Sequence, residues 1–185
     1  MKGSSVGENR FLKVGKLGCF AVALVAIVAS PRESKAQAAV YGEFSVSDLH
    51  NLSTTDLLYG ATTGVLLDGP TFHHILLTGD LQGRFVRKSG ESLNGITVGP
   101  RVSLHLKHGF VPYAEFMVGF ARYNDPTNFG ATTDSTFQAN AGLGKQLTPH
   151  FDIVADYSYS QYYALGGEFN PKTFSIGTIF HFAKR

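Results

Sequence analysis

The 185-residue chain contains a single cysteine, Cys19. One thiol cannot form an internal disulfide or a metal site with several thiolate ligands. Cys19 lies inside an apolar run at residues 17–29, not after it, so it is not placed as the modified cysteine of a lipoprotein signal. The cysteine content therefore predicts neither covalent cross-links nor thiolate chemistry.

The sequence also lacks an apolar run long enough for a membrane-spanning helix. The run at residues 17–29 has 13 residues, whereas a spanning helix needs about 20. It follows several basic residues and is followed by Ala36-Gln37-Ala38, a small-residue cleavage signal. We interpret residues 1–38 as a signal peptide cleaved after Ala38, and residues 39–185 as one domain. An uncleaved anchor is the alternative.

Little net charge remains beyond the leader. Residues 1–38 hold six of the 16 Lys and Arg residues and two of the 14 Asp and Glu residues. The net charge of residues 39–185 is therefore −2, although that of the whole chain is +2. Because the basic excess belongs to the leader, the composition predicts no nucleic-acid partner.

Helical periodicity is also missing, and alternation of apolar and polar residues takes its place. Alternation at period two is typical of strands with two different faces. Pro100 lies on the apolar face of one segment and predicts a β-bulge there, because proline cannot donate to the strand ladder. The eight alternating segments are residues 41–49, 57–68, 75–86, 95–107, 113–123, 136–147, 151–160 and 172–182.

The predicted connections alternate in length. Residues 68–71, 107–109 and 146–150 have the composition of tight turns. Longer polar loops are predicted at residues 50–55, 87–94, 124–134 and 163–171. Short turns at one end and long loops at the other are typical of outer-membrane barrels, whose long loops lie outside the cell.

The polar faces of the segments carry charges of both signs. Buried charges must be paired, so this composition fits a filled barrel interior better than a solvated surface. We interpret them as a structural ion-pair network that plugs an eight-stranded barrel, with a proton path or gate as the alternative. The predicted network consists of Asp80, Arg84, Arg101, Glu115, Asp156 and His181. A soluble lipocalin-like barrel, with its apolar face around a ligand cavity, is the rival architecture.

The end of the chain carries the most specific pattern, Ser175-x-Gly177-x-x-Phe180-x-Phe182. With the leader and the eight segments, it resembles small outer-membrane barrels of the OmpA/OmpX type. The stretches at residues 98–102 and 169–173 are similar to an uncharacterised group of short outer-membrane barrels. The resemblance implies an all-β, eight-stranded antiparallel up-and-down transmembrane β-barrel in the bacterial outer membrane. It also implies that Gly177, Phe180 and Phe182 form the signal read by the barrel assembly machinery, although three residues follow Phe182.

No catalytic, cofactor or metal site is predicted. Deacylases of this size use a His-x-Ser pair, and no histidine here has serine two residues later. His73 and His74 are chain neighbours that would face opposite sides of a strand, which makes them a poor metal pair. The sequence therefore predicts a structural or surface-interaction barrel that contacts outer-membrane lipid and binds any extracellular partner through its long loops. A lipid A-modifying enzyme is the second hypothesis, and a soluble periplasmic binding barrel is the third.

Overall fold

The computed structural model describes residues 37–51, 54–125, 130–164 and 167–183. Residues 1–36, which hold nearly all of the predicted signal peptide, lie outside the described residues. The leader and its cleavage therefore stay predictions. Among the described residues, no helix is long and apolar enough to cross a membrane.

One antiparallel sheet contains all the strands. Each long strand pairs with its sequence neighbours, and β9 pairs with both β7 and β1, so the sheet closes on itself. The short β8 extends only the edge of β7. The predicted eight-stranded up-and-down barrel is confirmed. The strands are β1 (Ala38–Asn51), β2 (Thr54–Phe72), β3 (Ile75–Lys88), β4 (Glu91–Leu104), β5 (Phe110–Asp125), β6 (Gly130–Gln146), β7 (Phe151–Ala164), β8 (Gly167–Phe169) and β9 (Lys172–His181).

Period-two alternation places the polar residues inside the barrel and the apolar residues outside. On β3, Asp80 and Gln82 are buried while Leu81 between them is exposed. Outward apolar side chains are exposed on every long strand, up to 62% at Ile96 and 68% at Phe120. Soluble monomers rarely expose a continuous apolar band of this kind, so lipid must cover it. The soluble lipocalin-like barrel, with the opposite arrangement, is therefore wrong.

The two ends of the barrel carry different connections. The termini end carries both ends of the described chain and the connections at residues 73–74, 105–109 and 147–150. At the opposite, hairpin end residues 89–90 join β3 to β4, and β8 lies between β7 and β9; residues 52–53, 126–129 and 165–166 lie outside the described residues. The prediction of long loops at residues 50–55, 87–94 and 124–134 is wrong, because barrel strands run through most of these residues, whereas residues 165–171 do separate β7 from β9.

The strands are long enough to pass beyond the lipid. The seven barrel strands β1–β7 have 14 to 19 residues, whereas a tilted transmembrane strand needs about 9–11. The extra length lies at the hairpin end, where outward positions change from apolar to polar residues. These outward polar residues include Asp48, Arg87, Asn94, Arg122 and Lys172.

Two local predictions about the backbone are also wrong. The β4–β5 register is the same on both sides of Pro100, with Val98 opposite Val118 and Arg101 opposite Glu115. No bulge forms there, although Gly99 and Pro100 have no paired partner on β5. The register shift instead lies in β2 at residues 68–71, where the sequence predicts a turn. The turn itself follows at residues 73–74.

The barrel interior has three layers. Polar side chains fill the middle, as predicted, but an apolar layer closes each end. The layer towards the termini end consists of Ala39, Tyr41, Leu66, Tyr113, Val154 and Ile179. The layer towards the hairpin end consists of Leu49, Leu58, Val86, Leu93, Ala121 and Tyr162. Tyr162, which follows the predicted segment at residues 151–160, is also buried inside the barrel.

Substitution of Gly99 tests how closely β4 and β5 approach where Gly99 and Pro100 have no paired partner on β5. A methyl group on Gly99 would overlap the backbone carbonyl of Phe116, whereas a methyl group on the lipid-facing Gly42 would meet nothing. We expect Gly99→Ala to lower the free energy of unfolding by about 1–3 kcal/mol. Gly42→Ala is the matched control and should change it by less than about 0.5 kcal/mol. Urea unfolding in detergent, followed by circular dichroism, measures both, and equal effects would contradict this account.

Candidate functional site

Arg101 lies at the centre of the polar layer. It projects inward from the middle of β4, because residue 101 shares the inward parity of Thr97 and Ser103. Its Nη2 donates to Oδ2 of Asp80 on β3 at 3.2 Å, and its Nε donates to Oε1 of Glu115 on β5. All three side chains are almost fully buried. One guanidinium thus joins carboxylates from the two strands that flank it.

Two tyrosine rings enclose the same guanidinium. The ring centroids of Tyr41 and Tyr113 lie 5.6 and 4.2 Å from Cζ of Arg101. The hydroxyl of Tyr41 donates to Oδ1 of Asp80 at 3.0 Å, and that of Tyr113 donates to Oδ2 of Asp156 at 3.3 Å. Cation–π attraction strengthens when the cation is removed from water. The guanidinium of Arg101 is therefore held by carboxylates that accept its N–H groups and by tyrosine rings that lie near it.

Each tyrosine lies across a glycine on the next strand. Tyr41 pairs with Gly64 on β2, and Tyr113 pairs with Gly142 on β6. A methyl group on either glycine would overlap the tyrosine ring. The missing side chains let both rings lie flat against the barrel wall and reach the centre. Aromatic residues that cover a cross-strand glycine also help to pin the strand register.

Arg84 belongs to a different group nearer the hairpin end, in which its hydrogen-bond partners are uncharged. Its guanidinium donates to Oγ1 of Thr62 at 3.3 Å, to Oγ1 of Thr173 at 3.3 Å and to Oε1 of Gln82 at 3.4 Å. Gln138 Nε2 also donates to Oε1 of Gln82 at 2.8 Å. Hydroxyl and amide oxygens, which carry only partial charge, therefore solvate this buried cation.

His181 lies at the termini end, away from Arg101. Its Nε2 donates to Oδ2 of Asp152 at 2.9 Å, and both side chains are buried. The Nδ1 of His150 donates to the backbone carbonyl of His181 at 2.8 Å. This group forms a separate contact between the ends of β7 and β9.

The structure brings together half of the predicted network by direct ion pairing. Asp80, Arg101 and Glu115 form one cluster, and Asp156 joins it through the Tyr113 hydroxyl. Among the described contacts, Arg84 has no carboxylate within ion-pair distance, and His181 pairs with Asp152 instead.

The residues of the predicted assembly signal lie on both faces of β9. Gly177 faces inward, where a methyl group would overlap the backbone of Gly42 on β1 and crowd Glu43. The rings of Phe180 and Phe182 pack edge to face with centroids 5.4 Å apart, and Phe182 is exposed on the lipid-facing side. Recognition of these residues by an assembly machinery stays a prediction.

Sequence reasoning missed the two tyrosines and Glu43. The available signal is a repeat, Tyr41-Gly-Glu-Phe44 on β1 and Tyr113-Ala-Glu-Phe116 on β5. In both copies the glutamate is buried and follows the tyrosine on the inward face. The copies differ in partners, since Glu115 binds Arg101 whereas Oε2 of Glu43 has no hydrogen bond from the described residues.

The arrangement is suited to holding strands together. The inward hydroxyl of Ser45 on β1 hydrogen-bonds to those of Thr62 on β2 and Ser175 on β9 at 2.7 and 3.0 Å. In the part of the chain that the structure describes, no three potential metal-ligating side chains form a cluster. The geometry is that of a cross-braced interior.

The model of a protein family described as "Outer membrane protein beta-barrel domain" matches residues 17–182. The chain belongs to this family. The match extends over all eight barrel strands, so the lipid-covered exterior and the enclosed polar layer are those of an outer-membrane protein. No curated protein sequence matches the chain.

Several solved structures share the fold at low sequence identity. Neisserial surface protein A (NspA) is 12% identical with a TM-score of 0.62, over 77% of this chain and 96% of that one. Ail, the attachment invasion locus protein of Yersinia pestis, is 14% identical with a TM-score of 0.55, over 80% and 100%. The outer membrane enzyme PagL is 12% identical with a TM-score of 0.51, over 77% and 98%. At these identities the likeness establishes the fold alone.

Removing Arg101 should leave two buried carboxylates without their cation. We expect Arg101→Ala to lower the free energy of unfolding in detergent by about 3–5 kcal/mol. Arg87→Ala, at an outward and exposed position, should change it by less than about 0.5 kcal/mol. Neither variant should give a stable conductance in planar bilayers, because apolar layers still close both ends. A large conductance from Arg101→Ala would show that the ion pairs act as a gate.

Proposed function

We propose that this protein is a closed, non-catalytic outer-membrane barrel that presents a rigid, strand-built surface outside the cell. The observation that carries the proposal is the extension of the strands past the apolar band at the hairpin end. In this arrangement the termini end faces the periplasm, as expected for a chain that enters the barrel from an export leader. The role is structural support or surface interaction.

The three-layered interior supports a closed barrel. Water or ions would have to pass the apolar layer near Leu66, the braced Arg101 layer and the apolar layer near Leu93. An eight-stranded barrel has room only for its own side chains. The filled interior argues against a channel and favours a function carried by the outer surface.

The hairpin end supports surface interaction through strands. Its apolar core, which includes Leu49 and Leu58, lies beneath outward polar residues such as Arg87 and Arg122. Side chains on paired strands lose less conformational freedom on binding than side chains on loops. A partner would therefore meet a preformed surface. The names of NspA as a surface protein and of Ail as an attachment protein are compatible with this role.

The enzyme hypothesis has less support. PagL is named an outer membrane enzyme, but its likeness to this chain is one of fold. The ring nitrogens of His150 and His181 hydrogen-bond to a backbone carbonyl and to Asp152, respectively, and not to a hydroxyl nucleophile. Comparison of lipid A from cells with and without the protein would test this reading, and an altered acylation pattern would contradict our proposal.

The same proposal includes the route to the membrane. The leader directs export and is removed after Ala38, and the assembly machinery recognises Gly177, Phe180 and Phe182 on the final strand. Outer-membrane lipid is then the partner of the apolar band. The mass of the protein isolated from outer membranes tests the cleavage position, since it should match residues 39–185.

Single cysteines at opposite ends test the orientation. Cleavage after Ala38 removes Cys19, so an introduced cysteine is the only thiol. Ser89→Cys lies in an exposed hairpin-end turn and should react with a membrane-impermeant maleimide on intact cells. Lys107→Cys, exposed at the termini end, is the matched control and should react only after the outer membrane is permeabilised. The reverse pattern would show that the barrel is inverted.

A further inference from the structure

Six of the seven histidines lie at the termini end of the barrel. They are in its three connections or at the end of β9, whereas His50 is at the opposite end of β1. The six are His73, His74, His105, His108, His150 and His181. Location near the membrane surface does not by itself explain why the histidines are grouped at this end, since the other polar residues occur at both ends of the barrel.

Four of these histidines form two pairs across neighbouring strands. The backbone N–H of His105 donates to the carbonyl of His74 at 2.8 Å, and that of His181 donates to the carbonyl of His150 at 2.9 Å. Each pair lies one step beyond the last paired residues of its two strands. Opposite residues in such a ladder have Cβ atoms about 5 Å apart, so two imidazole rings can reach one ion.

The two pairs differ in what surrounds them. His181 is buried and bound to Asp152, and His150 is bound to the His181 carbonyl. His74 is exposed, and His105 is half-buried. Two more exposed histidines, His73 and His108, lie in the same two adjacent connections. Solvent therefore reaches four imidazoles, those of His74 and His105 and those of His73 and His108.

We propose that His74 and His105 form a binding site for a divalent transition-metal ion, with water or the adjacent His73 and His108 completing its coordination. His74 is next to His73 in the sequence, and the structure places it beside His105 from another connection. Imidazole nitrogens suit Zn²⁺, Ni²⁺ or Cu²⁺ and not the hard cations Mg²⁺ and Ca²⁺, which require oxygen ligands.

The affinity is moderate. No set of three possible ligands is already assembled among the described residues, so the rings must rotate to meet the ion. Positive charge is also close, because Nζ of Lys145 donates to the carbonyl of His108 and Lys107 is exposed beside it. Both features oppose a tight structural site and favour reversible binding in the micromolar range.

Isothermal titration of Cu²⁺ and Ni²⁺ into untagged protein, purified from outer membranes in detergent, tests the proposal. We expect one equivalent to bind at pH 7.5 and none at pH 5, where protons compete with the metal ion for the imidazole nitrogens. His74→Gln should weaken binding at least tenfold, as should His105→Gln. His74 is exposed in a turn, so its variant should fold, which a heat-modifiable gel band confirms.

His150→Gln is the matched control from the second pair and should leave the affinity within about twofold. The proposal is wrong if His74→Gln binds metal as the unsubstituted protein does. It is also wrong if His150→Gln abolishes binding, because the ion would then belong to the other pair. Absence of any saturable binding at pH 7.5 would equally overturn it.

Discussion

Every backbone N–H and C=O group in contact with lipid must find its partner within the protein. Closure of the sheet through β9 meets this requirement, because β9 pairs with β1 on one side and with β7 on the other. An open sheet would leave two unpaired edges in hydrocarbon. The small enclosed interior, and the need to fill it, follow from this closure.

The barrel interior differs from the core of a soluble protein in the polarity of its middle layer. Its middle is polar, so each charge needs a partner or several hydrogen bonds to offset the loss of water. Arg101 satisfies two carboxylates and fits between two tyrosine rings, while Arg84 is solvated by neutral oxygens. The apolar layers above and below keep water away from both groups.

The Tyr-x-Glu-Phe repeat connects the sequence to this arrangement. Tyr41 and Tyr113 lie on the inward faces of β1 and β5, strands on opposite sides of the barrel, and both reach towards Arg101. Only one of the two repeated glutamates binds the guanidinium. The two copies of the motif therefore differ in their partners at the centre of the structure.

The fold was largely predictable, and the site was predictable only in part. Period-two alternation reveals strands directly, because consecutive side chains point to opposite faces. Strand ends at the hairpin end were mistaken for loops, since their outward positions meet water and lose the apolar alternation. Parity placed Arg101, Asp80 and Glu115 on the inner face, but it carries no information on register. Register decided that Arg84 binds hydroxyls and amides and that His181 meets Asp152.

The order of residues alone determined the number of barrel strands and the two faces of each, because these depend on local geometry, whereas the structure decided that the apolar face lies outside. Tertiary structure decided which inward residues touch. It alone placed Tyr41 and Tyr113 over cross-strand glycines, sealed the interior with Leu58 and Leu66, and brought His105 beside His74. Such contacts join residues far apart in the chain, and they are set by strand register and barrel closure, which no local pattern encodes.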